Sequence, residues 1–181
     1  VIAIATGVLQ YRLVARLQLP KAESSLLPTN APAPELNAAT PDGKTVQLSA
    51  LAGKAVVVSF WASWCLPCRV EMPELAKFVQ EWNGDKKHRV ELVYLAVNFK
   101  DAAGVVRPLL KDTRYGGALF ALDEDGKIAE LWKVSAFPTT YVISPKGEIL
   151  DAQVGYKEYG ASRLWSVLSK LPQGAGGKNP S

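Results

Sequence analysis

Residues 61–68 read WASWCLPC and hold the only two cysteines of the chain, Cys65 and Cys68. The stretch leading into them, AVVVSFWA at 55–62, is an apolar run rich in β-branched and aromatic residues. Such a run suits a central strand buried on both faces. Beyond Cys65 the apolar period changes. Cys65, Cys68, Met72, Leu75, Val79 and Trp82 fall at helical spacing on one face. The two thiols therefore stand where a buried strand gives way to a helix. Pro73 lies inside that helix and is expected to kink it.

The flanking sequence supplies the remaining elements. TPDGKTVQLSAL at 40–51 carries a turn and a short alternating stretch, a hairpin signal. VELVYLAV at 90–97 reads as a second buried strand, and DAAGVVRPLLKDT at 101–113 as a helix weakened by Gly104 and Pro108. ALFALDEDG at 118–126 suggests a short strand and turn, and GKIAELWKV at 126–134 places Ile128, Leu131 and Trp132 at helical spacing. TTYVIS, PKGE and EILDAQVG form a strand, a turn and a hairpin partner. EYGASRLWSVLSKL closes the order as an amphipathic helix, with Leu164, Val167, Leu168 and Leu171 on its buried face. Trp82, Trp132 and Trp165 also fit helix core faces. The pattern predicts the α/β class, a mixed sheet with helices on both faces.

Both ends read differently. VIAIATGVL opens the chain as an apolar run, and residues 1–18 are expected to be the remnant of a membrane anchor or signal segment. Residues 19–34 carry Pro20, Pro28, Pro32 and Pro34 and read as a linker. The folded body is expected at 35–171, and 172–181 as a disordered tail by composition.

The chain has 181 residues, 48% hydrophobic and 21% charged, with a net charge of +4. Its densest basic cluster, DKKHR at 85–89, precedes a strand and reads as a solvated loop rather than a nucleic-acid patch.

The position of the cysteines implies their chemistry. The first N–H groups of a helix have no intrahelical partner and carry partial positive charge, so a thiolate at Cys65 is stabilised there. Pro67 is tolerated in the first turn. Cys68, one turn on, continues into the buried face. Cys65 is thus the exposed nucleophile and Cys68 the shielded thiol that resolves a mixed disulfide. A zinc site needs two further ligands, and the chain has no other cysteine and a single histidine. A purely structural role is disfavoured because so short a loop restricts the unfolded chain little.

VVVSFWASWCLPCRVEMPEL, followed some seventy residues later by FPTTYVISPKGEIL, resembles the thioredoxin superfamily. More narrowly it resembles the membrane-anchored TlpA/ResA/CcmG(DsbE) group of extracytoplasmic reductases. The resemblance spans about 36–171 and rests on Trp-Cys-x-x-Cys, on Pro73, and on Pro-Thr-Thr before a strand. It implies a thioredoxin-like α/β fold with an N-terminal hairpin and a central insertion at about 99–133. It also implies a cis proline at Pro138 facing Cys65, with Phe137 pairing with an incoming peptide. The resemblance further implies Trp64, Phe137, Pro138 and Thr139 as the substrate-binding set. The aspartate that thioredoxins bury six residues before the first cysteine is replaced by Ser59. ResA-like members carry a glutamate three residues after the second cysteine, here Glu71, expected to be partly buried and to assist proton transfer.

The implied activity is reduction of protein disulfides by a Cys65–Cys68 dithiol, with no other cofactor. The implied substrates are apocytochrome c or copper-site proteins. The implied partner is a membrane electron donor of the DsbD/CcdA type, serving an N-terminally anchored monomer on the periplasmic face of a bacterial inner membrane. An oxidant or isomerase on the same fold is the main alternative. Leu66-Pro67 lacks the histidine of the strong oxidant DsbA, which favours a reductant. A copper chaperone would need a histidine and usually wider cysteine spacing. A redoxin-type peroxidase would need a Pro-x-x-x-Thr element before a lone cysteine, which is absent.

Overall fold

The computed structural model describes residues 26–157 and 160–171. The expected segments 1–18 and 172–181 lie outside the described residues. Seven strands form one sheet: β1 (Asn37–Ala39), β2 (Thr45–Gln47), β3 (Ala55–Trp61), β4 (Leu92–Phe99), β5 (Leu119–Asp123), β6 (Thr139–Ile143) and β7 (Ile149–Val154). Their spatial order is β2-β1-β5-β4-β3-β6-β7. β3, β4 and β5 run parallel, while β6 is antiparallel to β3, β7 to β6 and β1 to β5. The mixed α/β sheet expected from the sequence is therefore present, hairpin included.

Alternation along the strands divides the core in two. Val57, Tyr94, Ala96, Phe120 and Val142 face one side, packed with α1 (Leu66–Gly84) and α4 (Gly160–Leu168). Val56, Val58, Phe60, Leu95, Val97 and Tyr141 face the other, packed with Ala129 of α3 (Lys127–Leu131) and with Trp132 beyond it. All seven residues of β3 are buried, as a central strand with both faces covered requires. The α1 face predicted from the sequence is buried throughout, from Cys65 at 4% exposure to Trp82 at 2%. At its far end Asn83 holds the Leu92 N–H and C=O, tying α1 to the start of β4.

Pro73 lies inside helix α1, as expected. The carbonyl that loses its helical donor there belongs to Arg69, which is exposed and can be solvated. Several other expectations are corrected. The 101–113 stretch is a single α-turn, α2 (Ala103–Val106), followed by 3-10 turns at Arg107–Lys111 and Thr113–Tyr115, since Pro108 removes a helical donor. In α3, Leu131 is 55% exposed and the buried residue is Ala129. The buried Asp123 carboxylate accepts from the N–H groups of Ile128 and Ala129 and so sets which face turns inward. Trp165 is 41% exposed rather than in the core.

The DKKHR loop is not uniformly solvated. His88 stacks on Trp82 at 3.7 Å and lies 5.0 Å from Trp165. The described part of the linker is docked as well. Asn30 and Ala33 donate backbone hydrogen bonds to Ile149 and Gly147, and Ile149 donates to Ala31. Leu26, Leu27 and Ala33 pack on the second core, so this part of the linker lies against the domain expected at 35–171.

Candidate functional site

The C-terminal end of β3 and the N-terminal end of β6 lie side by side, with Phe60 opposite Thr139. The turn after β3 carries the cysteines, and the turn before β6 carries Pro138. Sheet register alone thus brings two distant stretches to one edge. The Phe137–Pro138 peptide is cis, the isomer that the resemblance implies. The rings of Trp64 and Phe137 meet edge to face at 5.6 Å, and Phe137 also packs on Phe99 at 5.0 Å.

Cys65 and Cys68 are joined in a disulfide. Cys65 is the N-cap of α1, and its Sγ accepts the Cys68 N–H at 3.2 Å. Pro67 stands in the first turn, where its missing N–H leaves no bond unmade. Cys68 is fully buried. Cys65 was expected to be exposed, yet only 4% of its surface is open. At the N-cap its sulfur is turned onto the first helical turn, where the bond to Cys68 and the Cys68 N–H enclose it. The neighbouring side chains form the open surface instead, Trp64 at 68% and Leu66 at 69%.

Glu71 lies one turn beyond Cys68 and is only 6% exposed. Ser59 Oγ is 3.3 Å from its Oε2, and Thr140 Oγ1 is 3.2 Å from both Ser59 Oγ and that same oxygen. Burial pushes the Glu71 carboxyl up to about 7, with the Glu74 charge adding to the rise and the two hydroxyls opposing it. The carboxyl is thus poised to exchange a proton near neutral pH. Tyr94, fully buried, is held well above its ordinary value by burial and then by the Glu71 charge, and it stays neutral.

Thr139 is placed differently from its expected role. Its side chain is fully buried and its hydroxyl donates to the Ala136 carbonyl at 2.7 Å, so it is not free to meet a substrate side chain. The next residue, Thr140, points to Glu71 instead. Strand alternation explains the exchange, since neighbours on a strand face opposite sides. The sequence reading also missed a brace behind the active turn. Asp101 accepts from the Ser63 N–H and hydroxyl, both at 2.7 Å, and from the Asn98 amide at 2.8 Å. Burial raises the Asp101 carboxyl, but those hydrogen bonds together carry it below its usual value. No local motif announces the brace, because Ser63 and Asp101 follow different strands.

Beside the first turn of α1 lies a cleft of about 220 Å³ lined by Ser63, Arg69, Met72, Val105, Leu109 and Arg114, among others. It separates α1 from the 3-10 turns of the central insertion. Arg69 is exposed there, at the rim and beside Cys68.

The chain's relatives agree with this geometry. The AhpC/TSA family profile matches residues 29–152. Thiol-disulfide oxidoreductase ResA of Oceanobacillus iheyensis is 39% identical over 116 residues, which cover 63% of this chain and 56% of ResA. The thiol:disulfide interchange protein DsbE of Pseudomonas fluorescens is 34% identical over 125 residues, covering 68% of this chain and 65% of DsbE. The chain thus spans less than two thirds of the length of either relative. The crystal structure of the exposed lipoprotein thioredoxin Etrx1 of Streptococcus pneumoniae superposes with a TM-score of 0.62 at 26% identity, over 76% of this chain and all of that one. The chain belongs to the AhpC/TSA family and has the thioredoxin-like fold of these thiol:disulfide oxidoreductases.

Proposed function

We propose that this chain is a thiol:disulfide oxidoreductase that reduces protein disulfides outside the cytoplasm. The observation that carries the reading is the Cys65–Cys68 disulfide at the N-terminus of α1, with Cys65 Sγ accepting the Cys68 N–H. In the reduced protein the helix N-terminus and that N–H favour the Cys65 thiolate. The thiolate attacks one sulfur of a substrate disulfide, forms a mixed disulfide and expels the other substrate sulfur as a thiolate. Cys68 then passes its proton to Glu71 and attacks Cys65 Sγ. The Cys65–Cys68 bond forms, and the second substrate thiol leaves. Two electrons have moved from the pair to the substrate, and a donor dithiol returns them.

The surface around the pair fits a protein substrate. Trp64, Leu66, Val70 and Val105 are exposed apolar side chains on the active turn, on α1 and on the facing insertion. The cis peptide stands just ahead of β6 with Phe137 beside Trp64, where an extended substrate segment can pair with the Phe137 backbone. Apocytochrome c or copper-site proteins as substrates, a membrane donor of the DsbD/CcdA type and periplasmic anchoring through residues 1–18 complete the reading. They are supported by the resemblance to ResA and DsbE. Among the described residues no helix is long and apolar enough to cross a membrane.

Trapping tests the proposal. Cys68→Ala in the full-length protein, expressed in its natural compartment, is expected to accumulate a protein partner disulfide-linked to Cys65. Recovery of no partner beyond that of the double cysteine variant overturns it. A redox titration is expected to give a potential below about −200 mV, and a value near about −120 mV makes the protein an oxidant instead.

A further inference from the structure

Directly opposite residues across β3, β6 and β7 form a polar row on the face beneath α1: Ser59, Thr140 and Gln153. They are 0%, 8% and 8% exposed. Within the row Thr140 Oγ1 bonds toward Ser59 and Glu71, and Gln153 Nε2 donates to the Gly155 carbonyl at 3.0 Å, so the Gln153 amide oxygen is the acceptor that this bond does not use. The next row on that face, Val57, Val142 and Asp151, returns to apolar residues until it reaches the edge strand. The polar row leads from the centre of the sheet to its β7 edge, and Glu71 sits on its inner end.

A cavity of about 20 Å³ lies along this row, lined by Glu71, Thr140, Gln153, Asp151, Arg163 and Leu164, among others. That volume suits a single water, and the polar lining supplies the hydrogen-bond partners a buried water needs. Neither cysteine lines it. At its outer rim Arg163 grips Asp151 with two hydrogen bonds of 2.6 Å. The guanidinium charge is offset there, so no lone cation blocks a departing proton.

We propose that this cavity holds a water that carries the proton between Glu71 and solvent, with Gln153 positioning that water and the Asp151–Arg163 pair marking the exit. This rests on the reading of Glu71 as the acceptor for Cys68. The Cys68 S–H bond breaks and the Glu71 O–H bond forms. The Glu71 proton then passes to the water, and the water releases one to solvent at β7, leaving Glu71 ionised for the next cycle. The charged or titratable groups around Glu71 are Glu74 on α1, Tyr94 on β4, Asp151 on β7 and Arg163 on α4. Tyr94 stays neutral and the last two offset each other. The proton lost by the inner thiol thus leaves at the β7 edge through a cavity that neither cysteine lines, while the mouth of the site is covered by the mixed disulfide.

The test uses the full chain with Gln153→Leu, which keeps the volume but removes the polar group, and Gln153→Asn, which restores it. Gln153→Met replaces the leucine variant if that one does not fold. Hydrogen–deuterium exchange of the protonated Glu71 carboxyl, read by difference infrared spectroscopy and assigned by its loss in Glu71→Gln, is one measure. The rate of disulfide reduction is the other. Gln153→Leu is expected to slow both about fivefold, roughly 1 kcal/mol of barrier, with the dithiol potential unchanged and Gln153→Asn close to wild type. If Gln153→Leu matches wild type while Glu71→Gln is slow, the proton leaves on the thiol side and the relay is overturned. If Glu71→Gln itself matches wild type, Glu71 is not the acceptor, and the relay falls with that reading.

Discussion

Ser59 Oγ lies 3.3 Å from Glu71 Oε2, where a longer acidic side chain at position 59 would meet that carboxylate head on. A hydroxyl at 59 instead donates to the acceptor. With Thr140 it offers at most two protons to one carboxylate oxygen, and burial prevails over both.

Glu71→Gln is expected to stabilise the oxidised protein at pH 8. Unfolded, the carboxyl titrates near 4.5, and folded it titrates at about 7. Between those values the folded state keeps a proton that the unfolded state has released. The wild type is therefore most stable, with respect to this group, below about pH 4.5. It loses that stability as pH rises through 7, by about 3 kcal/mol in all. The glutamine variant lacks the loss. Denaturant unfolding at pH 5 and pH 8 measures it, and equal pH dependence in both proteins would place Glu71 in water.

The same substitution is expected to slow disulfide reduction near neutral pH. A loss of about tenfold corresponds to roughly 1.4 kcal/mol of barrier. The inflection near pH 7 should vanish from the rate profile. A stabilised but slower enzyme is the signature of a carboxylate kept for chemistry at a cost to the fold.

Alkylation should separate the two thiols of the reduced protein. Iodoacetamide at mildly acidic pH is expected to modify Cys65, whose sulfur faces the helix N-terminus, while the fully buried Cys68 stays intact. Peptide mapping that finds equal modification would remove the distinction between nucleophile and resolver.

Asp101→Ala should act on the active turn from behind. It leaves the Ser63 N–H and hydroxyl without their 2.7 Å partner. Hydrogen bonds to a charged group are the stronger kind, so a stability loss of about 2 kcal/mol is expected. Because Ser63 sits two residues before Cys65, the substrate reaction should slow as well. Asp101→Asn, which keeps acceptor capacity, should recover part of the rate. A variant that loses stability but reacts at the wild-type rate would make the brace purely structural.

What was legible in the sequence was whatever repeats at short range. The β3 run, the period of α1 and the closing helix face were all readable because burial of one face imposes a local spacing. The dithiol was readable because strand, turn and helix start are contiguous. Thr140, Asp101 and Gln153 were not, since each acts on a group brought near by sheet register from tens of residues away. Thr139 and Thr140 are alike in sequence, and only the facing of β6 separates a buried structural hydroxyl from one that touches Glu71. His88 was read from its charged neighbours, whereas the aromatic surface that receives it comes from α1 and α4.

Trp64 is expected to separate protein substrates from small ones. Its ring is 68% exposed, and its edge-to-face partner is Phe137, beside the cis peptide. A large apolar side chain held open to solvent contributes little to the fold. The pair is worth about 1 kcal/mol, so Trp64→Ala should remain folded. What it removes is the shoulder against which a polypeptide lies as its disulfide reaches Cys65. A small disulfide such as hydroxyethyl disulfide makes no use of that shoulder. The expected outcome is a fall of about tenfold in kcat/KM for a protein disulfide, carried by KM, with the small disulfide changed by about twofold or less. Equal losses on both substrates would mean that Trp64 serves the cysteines themselves, through their orientation or solvent cover, and not the binding of a partner chain.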